Sequence, residues 1–320
     1  MMTRQFNKPP LTYADQIRQL ADRGLVIPDH ISAEAFITRV NYYRFSGYCL
    51  PFEVSRHVFR QETQFDHIRA LHDFDHRLRL VLQEALSWVE VGLKTHVAYI
   101  LAHRGGAFAH VDLKNFQTSF QHSGWRANVR EEVERSRETF VEHFRKTYTE
   151  FPDLPIWAEV EIHSFGSFSR MFKGLNMSLQ TDIARHLGIA GPVLASWLHT
   201  LVYIRNLCAH NARCWNRELA IKPAIPKKDT SWQMTAINQS RMYVIFRILM
   251  HFFSQSLFRS LDLTEWHQAI RQLQDTKMIG DLELWPRMGF SSTDALFMAA
   301  SEPPNDTNLI KADTKLRGLS

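Results

Sequence analysis

The sequence predicts an all-α fold with an antiparallel helix bundle at its centre, and three observations point there. Apolar residues recur at steps of three and four over long stretches, as on helices that bury one face. Glycine is sparse and no proline occurs between Pro51 and Pro152, so little interrupts helix growth. No alternating apolar–polar segment of strand-like length is present. With 320 residues, 45% of them apolar, the chain is long enough to bury a substantial core in one large or two modest domains.

Taken in order, the first sixty residues read as a small separate helical unit: a helix over Tyr13–Arg23, a stop at Gly24, and a second over Ser32–Val40. The turn between them invites a helix-turn-helix reading, a weak signal with no clear recognition helix. The stretch Asn41-Tyr42-Tyr43-Arg44-Phe45-Ser46-Gly47-Tyr48 is dense in aromatics beside an arginine. Such aromatics can stack on bases, and more often they fill a core. From Phe65 to Ile100 apolar residues step by three or four for roughly ten turns at ~3.6 residues each, up to the breaker pair Gly105-Gly106. Trp125, Val129, Val133, Phe140, Phe144 and Tyr148 predict a second helix, ending before Phe151-Pro152. Pro155 suits the first turn of a third, carrying Trp157, Val160, Phe165 and Phe168. Gly191-Pro192 opens another, with Leu194, Trp197, Leu198, Leu201 and Ile204 on its apolar side, and a last one runs from about Gln239 to Leu261. The expected units are 1–60, a bundle over 61–262, a helical or irregular extension over 263–300, and a polar, disordered tail over 301–320.

Net charge is +5, a mild basic excess compatible with an anionic partner. The excess is concentrated. From His199 to Lys228 stand Arg205, Arg213, Arg217, Lys222, Lys227 and Lys228 against the single acid Glu218. That predicts a phosphate-facing surface, with a solvated basic face as the bland alternative. Cys49, Cys208 and Cys214 are odd in number and lack paired spacing, so neither a disulfide framework nor a zinc site is expected, and a reducing cytoplasm fits. The opening MMTRQFNKPP has no apolar core, and the longest apolar runs are too short to span a bilayer. A soluble chain without membrane contact, metal or cofactor is the expectation.

The most informative stretch is Arg205-Asn206-Leu207-Cys208-Ala209-His210-Asn211, expected within the helix that Gly191 opens. A permanent cation, an amide and an imidazole within two turns are what cutting an RNA phosphodiester without metal requires. Arginine holds phosphate and neutralises developing charge, and histidine moves protons near neutral pH. On an ideal helix Asn206 and His210 share a face, whereas Arg205 and His210 point roughly 140° apart. They would flank a groove or meet a second copy of the motif. A lone arginine and histidine are more often a surface cation and a satisfied polar group, and the bare spacing is weak. The neighbours Asn206, Asn211, Arg213, Trp215 and Arg217 shift the balance. Arg205, Asn206 and His210 are therefore the candidate catalytic residues, and Arg213, Arg217, Asn211 and Lys222 the candidate RNA contacts. Glu161 could orient His210, with a plain surface carboxylate as the alternative.

At these residues the chain resembles the Abi-like (AbiD/AbiF-type) abortive-infection proteins of bacteria, within the HEPN superfamily. The landmarks fall in order: Lys8-Pro9-Pro10-Leu11-Thr12; Tyr42-Tyr43-Arg44-Phe45-Ser46-Gly47-Tyr48; Phe74-Asp75-His76-Arg77-Leu78-Arg79; Pro155-Ile156-Trp157 with Glu161 and Ser164-Phe165-Gly166; the Arg205–Asn211 stretch with Trp215-Asn216-Arg217; and Met288-Gly289-Phe290. The resemblance implies a HEPN-type helical bundle with small N-terminal and C-terminal helical extensions, metal-independent endoribonuclease activity, homodimerisation and a role in phage defence. The superfamily's R-x4–6-H motif maps onto Arg205 and His210, with Asn206 as the polar residue after the arginine. RNA is the implied substrate, and a regulatory small RNA or a protein antidote would restrain the activity. Some members of the superfamily keep the fold but only bind RNA or nucleotide, so a catalytically silent RNA-binding protein, or an RNA-regulated toxin component that does not itself cleave, is the alternative.

Overall fold

The computed structural model describes residues 7, 9–227, 229–233 and 237–291, and they form an all-α fold, as the periodicity predicts. The N-terminal helices are α1 (Tyr13–Asp22), α2 (His30–Val40) and α3 (Tyr42–Cys49). The central bundle comprises α4 (Phe65–Gly105), α5 (His122–Arg135), α6 (Thr139–Thr147), α7 (Ile156–Ile162), α8 (Phe165–Gly174), α9 (Met177–Arg185), α10 (Gly191–Ala209) and α11 (Tyr243–Phe253), and α12 (Thr264–Asp275) follows. Two minimal antiparallel hairpins, Glu53–Ser55 with Val58–Phe59 and Met278–Ile279 with Leu282–Glu283, are the strand pairs among the described residues. The tail over 301–320 lies outside them.

α4 is the organising element. Its 41 residues reach about 60 Å at ~1.5 Å per residue, and α3, α7, α8, α9, α10, α11 and α12 all pack on it. The stripe read from the sequence is its buried face: Ile68, Leu71, Leu78, Leu82, Leu86, Val89 and Leu93 are fully shielded from solvent. Each such side chain contributes roughly 1.5–3 kcal/mol on burial. The helix starts at a reciprocal cap between Gln64 and His67 and ends where Gly106 takes a left-handed φ of 80°, which a side chain would resist.

Three expected helices differ from those observed. The second breaks in two between Arg135 and Thr139, because Ser136 turns the backbone extended and its hydroxyl accepts from the Glu138 N–H. The apolar stripe already skips two turns there, from Val133 to Phe140. The third splits at Ser164, which caps α8 by accepting from the Ser167 N–H, so α7 is a separate short helix and its Trp157 is 55% exposed. The last expected helix shortens to Tyr243–Phe253, and a 3-10 turn over Ser256–Phe258 follows.

The N-terminal helices dock on the start of α4. Phe45 stacks on Phe65 with ring centroids 4.7 Å apart, and buried residues from Ile17 to Phe290 form one continuous core. Trp197, Leu201 and Trp215, the apolar residues nearest the motif, are completely buried and belong to the chain's own core. No helix among the described residues is long and apolar enough to cross a membrane.

Candidate functional site

The sequence of α10 dictates both its packing and its end. Leu194, Trp197, Leu198, Leu201, Ile204 and Leu207 face the core against α4, α8 and α9, which leaves Arg205 and Asn206 toward solvent. The helix closes at Ala209, so His210 is the capping residue just outside it rather than a helical residue. Asn211 then takes φ 53°, the Asn211 N–H donates to the Cys208 carbonyl (3.0 Å), and the Ala212 N–H donates to the Leu207 carbonyl (2.8 Å). This pair of bonds is the Schellman closure, in which asparagine is the usual substitute for glycine at the left-handed position. Asn211, expected to touch RNA, thus has a structural task that its residue type already signalled. His210 and Asn211 are exposed.

Arg205 does not point freely into solvent. Its side chain is 31% exposed, and Nε lies 3.8 Å from Glu90 Oε2 on α4. Glu90 also pairs with Lys94 (2.9 Å), whose Nζ donates to the His163 carbonyl (2.7 Å). Glu90 thus sets a carboxylate beside the Arg205 guanidinium, a neighbour the sequence reading missed. The clue was a Glu–Lys pair at i, i+4 inside an otherwise apolar stripe. No side-chain hydrogen bond joins Arg205, Asn206 and His210 among the described residues.

The loop after α10 is held by a second unpredicted residue, Asp75. Its fully buried carboxylate accepts from the backbone N–H groups of Cys214 (3.0 Å) and Trp215 (2.6 Å), from the Tyr48 hydroxyl (2.6 Å) and from the Arg79 guanidinium. Every lone pair of the buried anion is occupied, the condition for tolerating such a charge. Burial and the neighbouring Asp75 charge push the Tyr48 phenol up, so it stays a donor. One carboxylate on α4 therefore fixes α3 and the loop carrying Arg213 and Arg217. The cysteines are free and buried, with Cys208 and Cys214 sulfurs 4.0 Å apart.

That loop places its arginines beside α3. Arg213 donates to the Gly47 carbonyl (2.5 Å), Arg217 to the Tyr203 hydroxyl (3.0 Å) and the Arg213 carbonyl (2.9 Å), and Arg44 of α3 to the Asn211 carbonyl. Lys222 is exposed farther along and has no ion pair among the described residues. Glu161 is exposed on α7 and makes no hydrogen bond to His210; the carboxylate the structure brings to the motif is Glu90.

The buried carboxylate of α7 is Glu159, two residues away. His163 Nε2 approaches its Oε1 (3.1 Å), His110 Nε2 its Oε2 (3.1 Å), and Arg126 donates to Oε1 while also pairing with Asp153 (2.6 Å). Burial works against the ionised Glu159, but hydrogen bonds from His110 and His163, then the charges of His110 and Arg126, outweigh it and hold the carboxyl well below the usual carboxylate range. Burial pulls His163 down against the opposing attraction of Glu159, which keeps the ring neutral. Among the described residues no group of three or more His, Cys, Asp or Glu side chains is placed to hold a metal ion.

No curated protein and no solved structure matches the chain. The family model described as Abi-like protein matches residues 35–216, which takes in α3, Asp75, Glu159 and the whole motif from Arg205 to Trp215. With more than half of its length inside that match, the chain belongs to the Abi-like protein family.

Proposed function

We propose that this chain is a metal-independent endoribonuclease of the HEPN kind that acts in abortive infection, in the cytoplasm, on RNA. The observation that carries the reading is the half-buried Arg205 and exposed His210 at the end of α10, inside the family match, with Arg44, Arg213 and Arg217 beside them. The C-terminal end of a helix carries about −0.5 charge and would repel a phosphate. The arginines clustered there offset that charge, which leaves the surface able to receive a phosphodiester.

The RNA 2′-hydroxyl attacks its own phosphorus, the bond to the 5′-oxygen of the next nucleotide breaks, and a 2′,3′-cyclic phosphate and a 5′-hydroxyl result. His210 takes the 2′-hydroxyl proton or supplies one to the departing oxygen, which is worth typically ~10²–10⁴ in rate. Arg205 binds the scissile phosphate and stabilises its added charge. Asn206 orients the imidazole or the phosphate. DNA lacks the attacking hydroxyl and resists.

Within one chain these side chains do not bond to one another, and this favours a site completed by a second copy about a two-fold axis, the commonest homo-oligomer symmetry. The same observation also suits a chain that binds RNA without cutting it, or an RNA-regulated toxin component. A regulatory small RNA or a protein antidote would occupy or mask the arginines. Purified protein in excess EDTA should cut labelled RNA to 2′,3′-cyclic or 3′-phosphate ends, and His210→Ala should not. Titrating His210→Ala chains into wild type should depress activity more than dilution does. Binding without cleavage would select the silent reading; 3′-hydroxyl ends or strict Mg²⁺ dependence would remove the mechanism.

A further inference from the structure

Next to the motif lies a groove of about 880 Å³ lined by Asn41, Tyr43, Arg44, Gly47, Tyr48, Leu50, Arg213 and Arg217. That volume falls within the ~300–1,000 Å³ of ligand clefts. Three arginines and no carboxylate line it. Each guanidinium is held by neutral oxygens, the carbonyls of Asn211, Gly47 and Arg213 and the hydroxyl of Tyr203, and none forms an ion pair among the described residues. Their charges are positioned but unbalanced, which is how a protein keeps arginines ready for an anion. At the rim Tyr43 is 87% exposed and Leu50 59% exposed, while Phe45 and Tyr48 of the same helix are buried. Solvating a whole phenol ring at the mouth of a cationic groove has no benefit for the fold. It is what a base-stacking platform looks like. The groove is also continuous with the motif, because Arg44 grips the carbonyl of Asn211, the residue after His210.

We propose that this groove is a subsite for single-stranded RNA flanking the cut, with a base stacked on Tyr43 and adjacent phosphates held by Arg44, Arg213 and Arg217. The subsite rests on the endoribonuclease reading for its position beside the cut, but its binding chemistry is separate from cleavage. It explains why α3 is locked to the post-motif loop through Asp75: the platform and the cutting residues must keep a fixed spacing. Stacking is tolerant of base identity, so the preference here is for unpaired strands over duplexes.

The test is binding of a short labelled oligoribonucleotide to the full-length His210→Ala chain in EDTA, read by fluorescence anisotropy, with a hairpin of the same composition as comparison. Tyr43→Ala should weaken single-strand binding about tenfold, Tyr43→Trp should restore it, and hairpin binding should barely change. Arg217→Ala should flatten the salt dependence by about one phosphate contact. Unchanged single-strand affinity in Tyr43→Ala overturns the subsite, as does a change in light-scattering mass with affinity intact, which would make Tyr43 a contact between copies. Cleavage separates this proposal from the one beneath it. If the wild-type chain cuts RNA while Tyr43→Ala binds normally, only the subsite falls. If the wild type never cuts but Tyr43→Ala binds more weakly, the subsite stands and the nuclease reading falls.

Discussion

Arginine, histidine and carboxylate meet twice in this molecule, at the open end of α10 and in the sealed space beneath α7. At the open end Arg205 and His210 face solvent, the nearest carboxylate is 3.8 Å from Arg205, and the arginines beyond bind only neutral oxygens. In the sealed cluster Glu159, His110 and His163 are completely or almost completely buried, and two arginines, Arg126 and Arg130, balance Glu159 and Asp153. The sealed cluster holds the more strongly perturbed groups, and their side chains are shielded from solvent. Its charges cancel within the protein and join α5, α7 and the segment between them. At the open end Arg44, Arg213 and Arg217 have no ion pair among the described residues, and an unbalanced, accessible charge is what a phosphate needs.

The comparison breaks or holds on a series of variants. Arg205→Ala and His210→Ala should each lower RNA cleavage by ~10²-fold or more with the unfolding midpoint little changed, since both side chains are partly or fully exposed. Should His163→Ala abolish cleavage in a folded chain while His210→Ala does not, the roles of the two clusters are reversed.

Asp75→Ala comes next. It strands the buried Arg79 and two backbone N–H groups, so denaturant titration should show a loss of ~3–5 kcal/mol, and the surviving folded protein should bind RNA poorly as the loop of Arg213 and Arg217 loosens.

A smaller effect is the pH dependence. The folded-state pKa of Glu159 is depressed, so its contribution is complete above the carboxylate's usual 4.5 and lost as pH falls below it. Burial depresses His96, His163, His251 and His267 as well. Their unfolded forms take up protons below the usual 6.5 while the folded forms do not, so stability declines from there downward. Denaturation midpoints across pH should be flat above about 7, fall from near 6.5, and steepen below 4.5. Glu159→Gln should be less stable at neutral pH and lose part of the acid-side slope. A midpoint that rises on acidification would contradict the neutral, buried histidines.

Glu161→Ala should do least. The exposed carboxylate has no hydrogen bond to the motif, so stability should shift within about 0.5 kcal/mol and cleavage should match wild type. A large loss of cleavage would mean that Glu161 reaches His210 across a dimer interface.

Much of this was legible in the chain. The apolar stripe from Phe65 to Ile100, the stop at Gly105-Gly106, the apolar face of α10 and the Arg205–His210 motif all rest on local periodicity or on adjacent residues, and such signals survive without knowledge of the fold. The helix splits at Ser136 and Ser164 were written in hydroxyls that accept from nearby backbone N–H groups but masked by apolar residues that continued in phase beyond them. Glu161 and Glu159 were separable only by knowing which side of α7 faces the core, which a seven-residue helix does not reveal.

By itself, the sequence determined the helical class, the long central helix and the presence of the Arg205–His210 motif, because each follows from spacing along one segment. Only the tertiary structure decided which charges are neutralised and which remain available. Glu90 meets Arg205 across 115 residues of chain, Asp75 meets Cys214 and Trp215 across 139 and 140, and Arg44 meets Asn211 across 167. Contacts of that range depend on how helices pack, and burial sets the strength of every charge they bring together.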